Sequence, residues 1–298
     1  LSEPAAEAKL LRFGDTMRVL IAGAGYVGMA LGRILCARGH VVFALRRNTA
    51  MLPEPLHPLS ADLAEPSTLA ALPPGLTHVV YCARADETSD AAYRRTYVPG
   101  LGNLLDALAG QRELGRLVFT SSTAVYAQQA GELVDELSPT TPAHFTGQRL
   151  LEAEQLASNS GLQHVILRLA GIYGPGRDSL LRSVRDGRAT IPAETGQLTN
   201  RIHRDDCAGA IAHLLELPQP APLYLGVDDE PAERAVVLRW LAARLEVPEP
   251  RVVSPAEPPR RPTSNKRCSN ARLRQSGYEL LFPTFREGYA ALLSPSGG

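Results

Sequence analysis

Cysteine is scarce and ungrouped: Cys36, Cys82, Cys207 and Cys268 lie far apart and form no Cys-x-x-Cys pair. That spacing supplies neither a zinc ligand set nor a disulfide framework, and reducing, cytoplasmic surroundings fit it best. Net charge is missing as well, 31 Lys and Arg against 31 Asp and Glu, so no general field pulls the chain toward nucleic acid or an anionic membrane. There is no long uninterrupted apolar run. Residues 18–37 come nearest, but Arg18 and Arg33 and early glycines cut the stretch, and Glu3 and Glu7 stand where a signal peptide would carry basic residues. No internal repeat of fixed period is present. What remains is an ordinary globular composition, 44% hydrophobic and 21% charged over 298 residues, enough for one large domain or two modest ones.

The chain is organised around residues 18–35. An apolar run ending at Ala22 reads as a buried strand, and from Val27 the apolar residues Ala30, Leu31, Ile34 and Leu35 fall at helical spacing. Between them sits Gly23-x-Gly25-x-x-Gly28, with Tyr26 and Val27 inside the motif. Gly23 permits the tight turn, Gly25 lets a diphosphate approach the backbone, and Gly28 lets helix and strand pack closely. A second strand, Val41-Val-Phe-Ala-Leu45, closes a βαβ unit of the expected length. The fold class implied is α/β, a Rossmann-type doubly wound parallel sheet, with residues 17–170 as dinucleotide-binding domain and 171–298 mainly as a smaller C-terminal substrate lobe. Met17 reads as a natural start and residues 1–16 as an extension.

The second strand runs into Arg46-Arg47-Asn48, without the acid that would meet the ribose 2′-hydroxyl of NAD. A guanidinium there suits the 2′-phosphate of NADP, although two solvated arginines are the plain alternative and NAD stays open. Asp62, followed by Leu63, either accepts from an adenine amino group or caps the next segment. The strand Thr77–Ala83 ends in Cys82 and Ala83 beside the expected cofactor edge. The strand Arg116–Tyr126 ends in hydroxyls, including Ser121 and Ser122, where open α/β sheets bind ligands. Residues 90–108 read as helix interrupted at Pro99-Gly100, 127–143 as a polar loop, and 144–159 as helix. Asp205-Asp206 reads as a helix cap instead of a metal pair, since no further ligands sit nearby.

Taken in order, Gly23–Gly28, Val98–Leu105, Phe119–Tyr126, Leu167–Gly176, Arg201–Asp206 and Phe282–Gly288 resemble the extended short-chain dehydrogenase/reductase family, which contains nucleotide-sugar epimerases and dehydratases. The resemblance implies hydride chemistry on a nicotinamide, a small-molecule substrate that is nucleotide-linked in many members, and a homodimer through helices 90–108 and 144–159. It also implies a Tyr-x-x-x-Lys pair one helical turn apart, whose Lys lowers the Tyr pKa and holds the nicotinamide ribose. By register those positions are Phe145 and Arg149.

Phe145 can neither give nor take a proton, and Arg149 is too basic to give one. Tyr126 and Tyr173 are the candidate replacement donors, and Ser122 matches the family's carbonyl-polarising hydroxyl, the alternative being a strand-end Ser that satisfies backbone. The resemblance also places Tyr173 near the nicotinamide. Two functions follow from the altered pair: an NADP-dependent oxidoreductase or epimerase-like enzyme with a non-standard proton donor, or a non-catalytic NADP-binding sensor. The basic segment from Arg260-Arg261 to Arg274 either receives substrate phosphates or is a solvated face; without interleaved aromatics it does not suit nucleic acid.

Overall fold

The computed structural model describes residues 16–193, 196–253 and 265–294; all of the 1–16 extension but its last residue, and Arg260-Arg261, lie outside them. Seven strands form the main sheet: β1 (Arg18–Ala22), β2 (Val41–Arg46), β3 (His57–Ser60), β4 (His78–Tyr81), β5 (Arg116–Ser122), β6 (Gln163–Leu169) and β7 (Leu223–Gly226), in the order β7-β6-β5-β4-β1-β2-β3. The pairs β1–β2, β2–β3, β1–β4 and β4–β5 are parallel, and strand order reverses between β1 and β4, where the crevice of a doubly wound sheet opens.

Central strands are buried on both faces and read as continuous apolar runs: Val19, Leu20, Ile21, Val79, Val80, Leu117 and Val118 are all fully buried. β3 contains Pro58, which cannot donate to a ladder, and it occupies an edge. Helix α1 (Tyr26–Ala37) follows β1 directly. The interruption expected at Pro99 divides α2 (Asp90–Tyr97) from α3 (Pro99–Leu108), with Pro at the N-terminal position where its missing N–H costs nothing. Ser89 caps α2 by accepting from Ala92 N at 3.2 Å. Later helices are α4 (Phe145–Ser158), α5 (Ser179–Arg185), α6 (Arg204–Glu216), α7 (Arg234–Leu245), α8 (Ala271–Gln275) and α9 (Phe285–Leu293).

Two compact units emerge, discontinuous in sequence. One runs to Ser121 and adds Arg149–Leu167 and Ile211–Leu223; the other comprises Ser122–Gln148, Arg168–Ala210 and the chain from Tyr224. Residues 122–148, grouped above with the dinucleotide domain, thus cluster with the second unit. In the first unit the buried Arg116 guanidinium donates to the carbonyls of Leu214, Leu215 and Leu217 at 2.9, 2.6 and 2.7 Å, satisfying the exposed end of α6. The second unit has its own core, in which Tyr173, Leu181, Val184, Val237, Leu241, Phe285 and Tyr289 pack together. The stretch 127–143 is not all loop: Glu132–Val134 pairs in parallel with Lys266–Cys268. No described helix is long and apolar enough to cross a membrane.

Candidate functional site

In the first unit the chain leaves β1 through Gly23, whose φ is +94° and whose Cβ, were there one, would overlap the Ala83 backbone. A Cβ on Gly28 would stand 2.9 Å from Gly23 O and 3.1 Å from Cys82 Sγ. At Gly25 the nearest atom is Gly23 O at 3.9 Å, so the backbone there is open to a ligand. Gly25 also N-caps α1 without a side-chain cap, Tyr26 and Val27 are its first two residues, and the first turn contains no acid. The helix therefore keeps its positive end for an anion, and the loop fits a dinucleotide diphosphate. Cys82 Sγ donates to Gly23 O at 3.2 Å and burial pushes its thiol up to about 12, so Cys82 and Ala83 serve as packing beneath the turn.

Arg46 folds back over this turn, its Nη1 donating to Ala24 O at 3.4 Å. Arg47 forks onto Asp86 at 2.9 and 2.6 Å. Of the two readings of Asp62, the local one is what the geometry contains: Oδ1 accepts from Ala64 N at 2.9 Å. Leu63 O accepts from Asn103 Nδ2 at 2.9 Å. Ser121 Oγ donates to Glu154 Oε1 at 2.5 Å, both residues being buried. Arg149 donates to Asp90 through Nε and Nη2 at 2.7 and 2.9 Å and through Nη1 to Glu152. One cation meets two carboxylates, and the hydrogen bond from Arg149 holds the Asp90 carboxyl below its ordinary range. A ribose held by Arg149 would have to displace Asp90.

In the second unit Ser122 Oγ accepts from Ala124 N at 3.1 Å and caps the short turn Thr123–Val125. Tyr126 is buried between two cations: Arg168 Nη1 donates to its hydroxyl at 2.7 Å, and Lys266 Nζ donates to its carbonyl at 2.7 Å. Burial outweighs the pull of Arg168, so the phenol is pushed up to about 12. Tyr173 is a core residue stacked on Tyr289 at 4.5 Å between ring centroids. Its hydroxyl is buried without a partner among the described residues, in space left by Gly288, and burial raises its pKa far above the ordinary value. The sequence expectation of a phenol standing at a ligand edge is not what Tyr173 provides; the bulk of the ring favours burial. Helix α4 starts at Phe145, and Gly147 in its first turn packs so that a Cβ would stand 2.5 Å from Ala124 O. That close approach brings the start of α4 against the turn following Ser122.

Sequence reasoning did not find Asp86, Asp90 or Arg168, whose partners lie tens of residues away. The described cations of the basic segment are all engaged: Lys266 as above, Arg267 with Gly131 O at 2.9 Å, Arg272 with Glu136 at 3.7 Å and Arg274 with Asp229 at 2.5 Å. Asp206 accepts from the amides of Leu281 and Phe282 at 2.7 and 3.0 Å and from the Tyr278 hydroxyl at 3.1 Å, so it ties backbone together.

A parallel sheet with a strand-order reversal and a glycine cradle at a helix N-terminus defines a dinucleotide-binding α/β protein. The family model for the NAD dependent epimerase/dehydratase family matches residues 19–223, and the chain belongs to that family. Among curated relatives, the Streptomyces sp 3-diazoavenalumate denitrifying reductase is 32% identical over 91% of this chain and 99% of its own. The 2-alkyl-3-oxoalkanoate reductase of Stenotrophomonas maltophilia (strain K279a) is 28% identical over 69% of this chain and 67% of its own. A solved structure from Methylobacillus flagellatus, assigned to NAD-dependent epimerase/dehydratases, superposes with a TM-score of 0.77 at 38% identity, covering 94% of this chain and 98% of that one. Family and relatives support an NAD(P)-dependent, oxidoreductase-like role.

Proposed function

We propose that the chain is an NADPH-dependent reductase of a small electrophile whose reduction leaves no alkoxide, a diazonium-type nitrogen compound being the foremost class. The carrying observation is Phe145 at the start of α4, the helix whose Gly147 packs against the turn after Ser122, where the family resemblance calls for the proton-donating Tyr. Bound NADPH supplies a hydride. When the acceptor is a diazonium group, hydride takes the place of the departing nitrogen molecule, the electron pair balances, and no oxyanion needs a proton. The name of the reductase that matches 91% of the chain supports this substrate class. Arg46 and Arg47, with no acid at the end of β2, support NADPH over NADH.

The test is NADPH oxidation by the purified chain with an arenediazonium salt and with a panel of ketones and aldehydes, each against an enzyme-free control. Turnover of the diazonium alone is expected, and Phe145→Tyr with Arg149→Lys should add carbonyl turnover. Ready ketone reduction by the unaltered chain would overturn the proposal. Tight NADPH binding without any oxidation would favour the non-catalytic reading, for which the tethered Arg149 already speaks.

A further inference from the structure

The first unit holds the arginine best suited to an adenosine phosphate on one of its own carboxylates. Arg47 stands one residue beyond β2, and its guanidinium forks onto both oxygens of Asp86 at 2.9 and 2.6 Å. Arg95 Nη2 lies 3.7 Å from Asp86 Oδ2. The charge of Arg84 bears on the same carboxyl, which the Arg47 hydrogen bond holds below its ordinary range. Three guanidiniums bear on Asp86, and even with the charge of Asp62 also acting on Arg47 a local excess of positive charge remains. A fork of this geometry donates to carboxylate or phosphate oxygens equally well. The pair is also open to water, with Arg47 58% and Asp86 49% exposed, so its dissociation is inexpensive.

Resting on the NADPH reading above, we propose that Asp86 is a specificity-determining residue that occupies the Arg47 fork as a counter-ion and yields it to the 2′-phosphate of the cofactor. Arg84 and Arg95 complete the receiving charge once the carboxylate has moved aside. A ribose carrying two hydroxyls offers Arg47 no charge and gives no reason to open the pair; a phosphate does. A ligand shifts such an equilibrium only by its differential affinity for the two arrangements, so the exchange discriminates between the two cofactors. Asp86 lowers the affinity for NADPH and leaves that for NADH alone.

The experiment is fluorescence titration of NADPH and NADH into the full chain, Asp86→Asn, Arg47→Gln and the double variant, with thermal melts confirming that each is folded. Asp86→Asn is expected to tighten NADPH by about three- to tenfold, from the release of an exposed ion pair and of one repelling charge, with NADH within about twofold of the unaltered chain. In the Arg47→Gln background the same substitution should change NADPH affinity much less. Weaker NADPH binding by Asp86→Asn, no change, or an equal shift for both cofactors would overturn the role of Asp86 while leaving NADPH preference standing. Equal or tighter binding of NADH by the unaltered chain would remove the NADPH reading itself, and this proposal with it.

Discussion

Asp228 gives the sharpest test of how the second unit is held together. Its side chain is 2% exposed, and neither carboxyl oxygen closes a well-formed hydrogen bond among the described residues. Its backbone N–H donates to Arg201 O at 2.7 Å, and the Arg201 guanidinium, itself 7% exposed, is held below its ordinary value by desolvation. Burial wins over that neighbouring charge, pushing the Asp228 carboxyl up from 3.8 to about 8. The unfolded chain releases this proton near pH 4 and the folded chain keeps it until about pH 8, so folding takes up a proton in between. Stability contributed by the protonated group is therefore complete below pH 4 and drains away as pH rises toward 8. Each pH unit in that window costs about 1.4 kcal/mol, so pH 5 to pH 8 removes about 4 kcal/mol, against a typical total of about 5–15 kcal/mol. Asp228→Asn keeps the shape and cannot ionise. Urea unfolding of both proteins across pH 5–8.5 should show the variant's advantage growing by about 3–4 kcal/mol and then levelling off. His203, whose pKa is lowered by burial, titrates in both proteins and cancels in the difference. A gap that stays constant with pH, or a wild type that is the more stable at pH 8, would show that Asp228 and Arg201 form a working buried ion pair and would refute the reasoning.

Gly288→Ala should cost about 1–3 kcal/mol because its methyl would overlap the Tyr173 hydroxyl. Tyr173→Phe alone should be neutral or slightly stabilising and should rescue Gly288→Ala in calorimetry, since that hydroxyl has no partner among the described residues. Arg116→Met should lower urea-unfolding stability by about 3 kcal/mol or more by stripping the α6 carbonyls of a buried donor; a loss below about 1 kcal/mol would mean that water replaces it.

The fold of the first unit was largely legible because its signals are local. Gly23, Gly25 and Gly28 lie within six residues; the steric reasons for Gly23 and Gly28 are present in the structure, and the backbone at Gly25 is open. The Pro99 break and the apolar central strands were readable for the same reason. The second unit was not, because what organises it is distant in sequence. Glu132–Val134 finds its strand partner at Lys266–Cys268, and Gly171–Tyr173 pairs with Arg201–His203. Three-residue strands carry no periodicity to detect. Arg47 and Asp86 are 39 residues apart and meet only because β2 and β4 both flank β1 in the sheet. A carboxylate just past a strand that borders the crevice is a signal that could have been sought. Tyr173 shows the opposite failure: a turn-rich motif suggested a ligand edge, while the ring's apolar area placed it in the core.

On the proposed reading, Phe145 at the position of the family's phenol constrains the chemistry more tightly than the glycine turn does. General acid help contributes about 10²–10⁴ in rate when hydride addition creates an alkoxide, so a carbonyl reductase without it needs another donor of suitable pKa and reach. Among the three hydroxyls offered by the sequence, Tyr126 is already bonded by Arg168 and pushed up to about 12 by burial, and Tyr173 is buried against Gly288. Ser122 spends its oxygen as acceptor for Ala124 N, which still leaves its hydroxyl proton to orient a substrate without making it an acid of useful strength. Arg149 cannot substitute, because the hydrogen bonds it donates to Asp90 and Glu152 raise its pKa further. On the proposed reading, a chain that binds the nicotinamide and has Phe145 in place of the acid is suited to acceptors that expel a neutral leaving group. On that logic, a substrate screen weighted toward nitrogen electrophiles discriminates between the enzymatic and sensor readings better than one built on sugars or ketones.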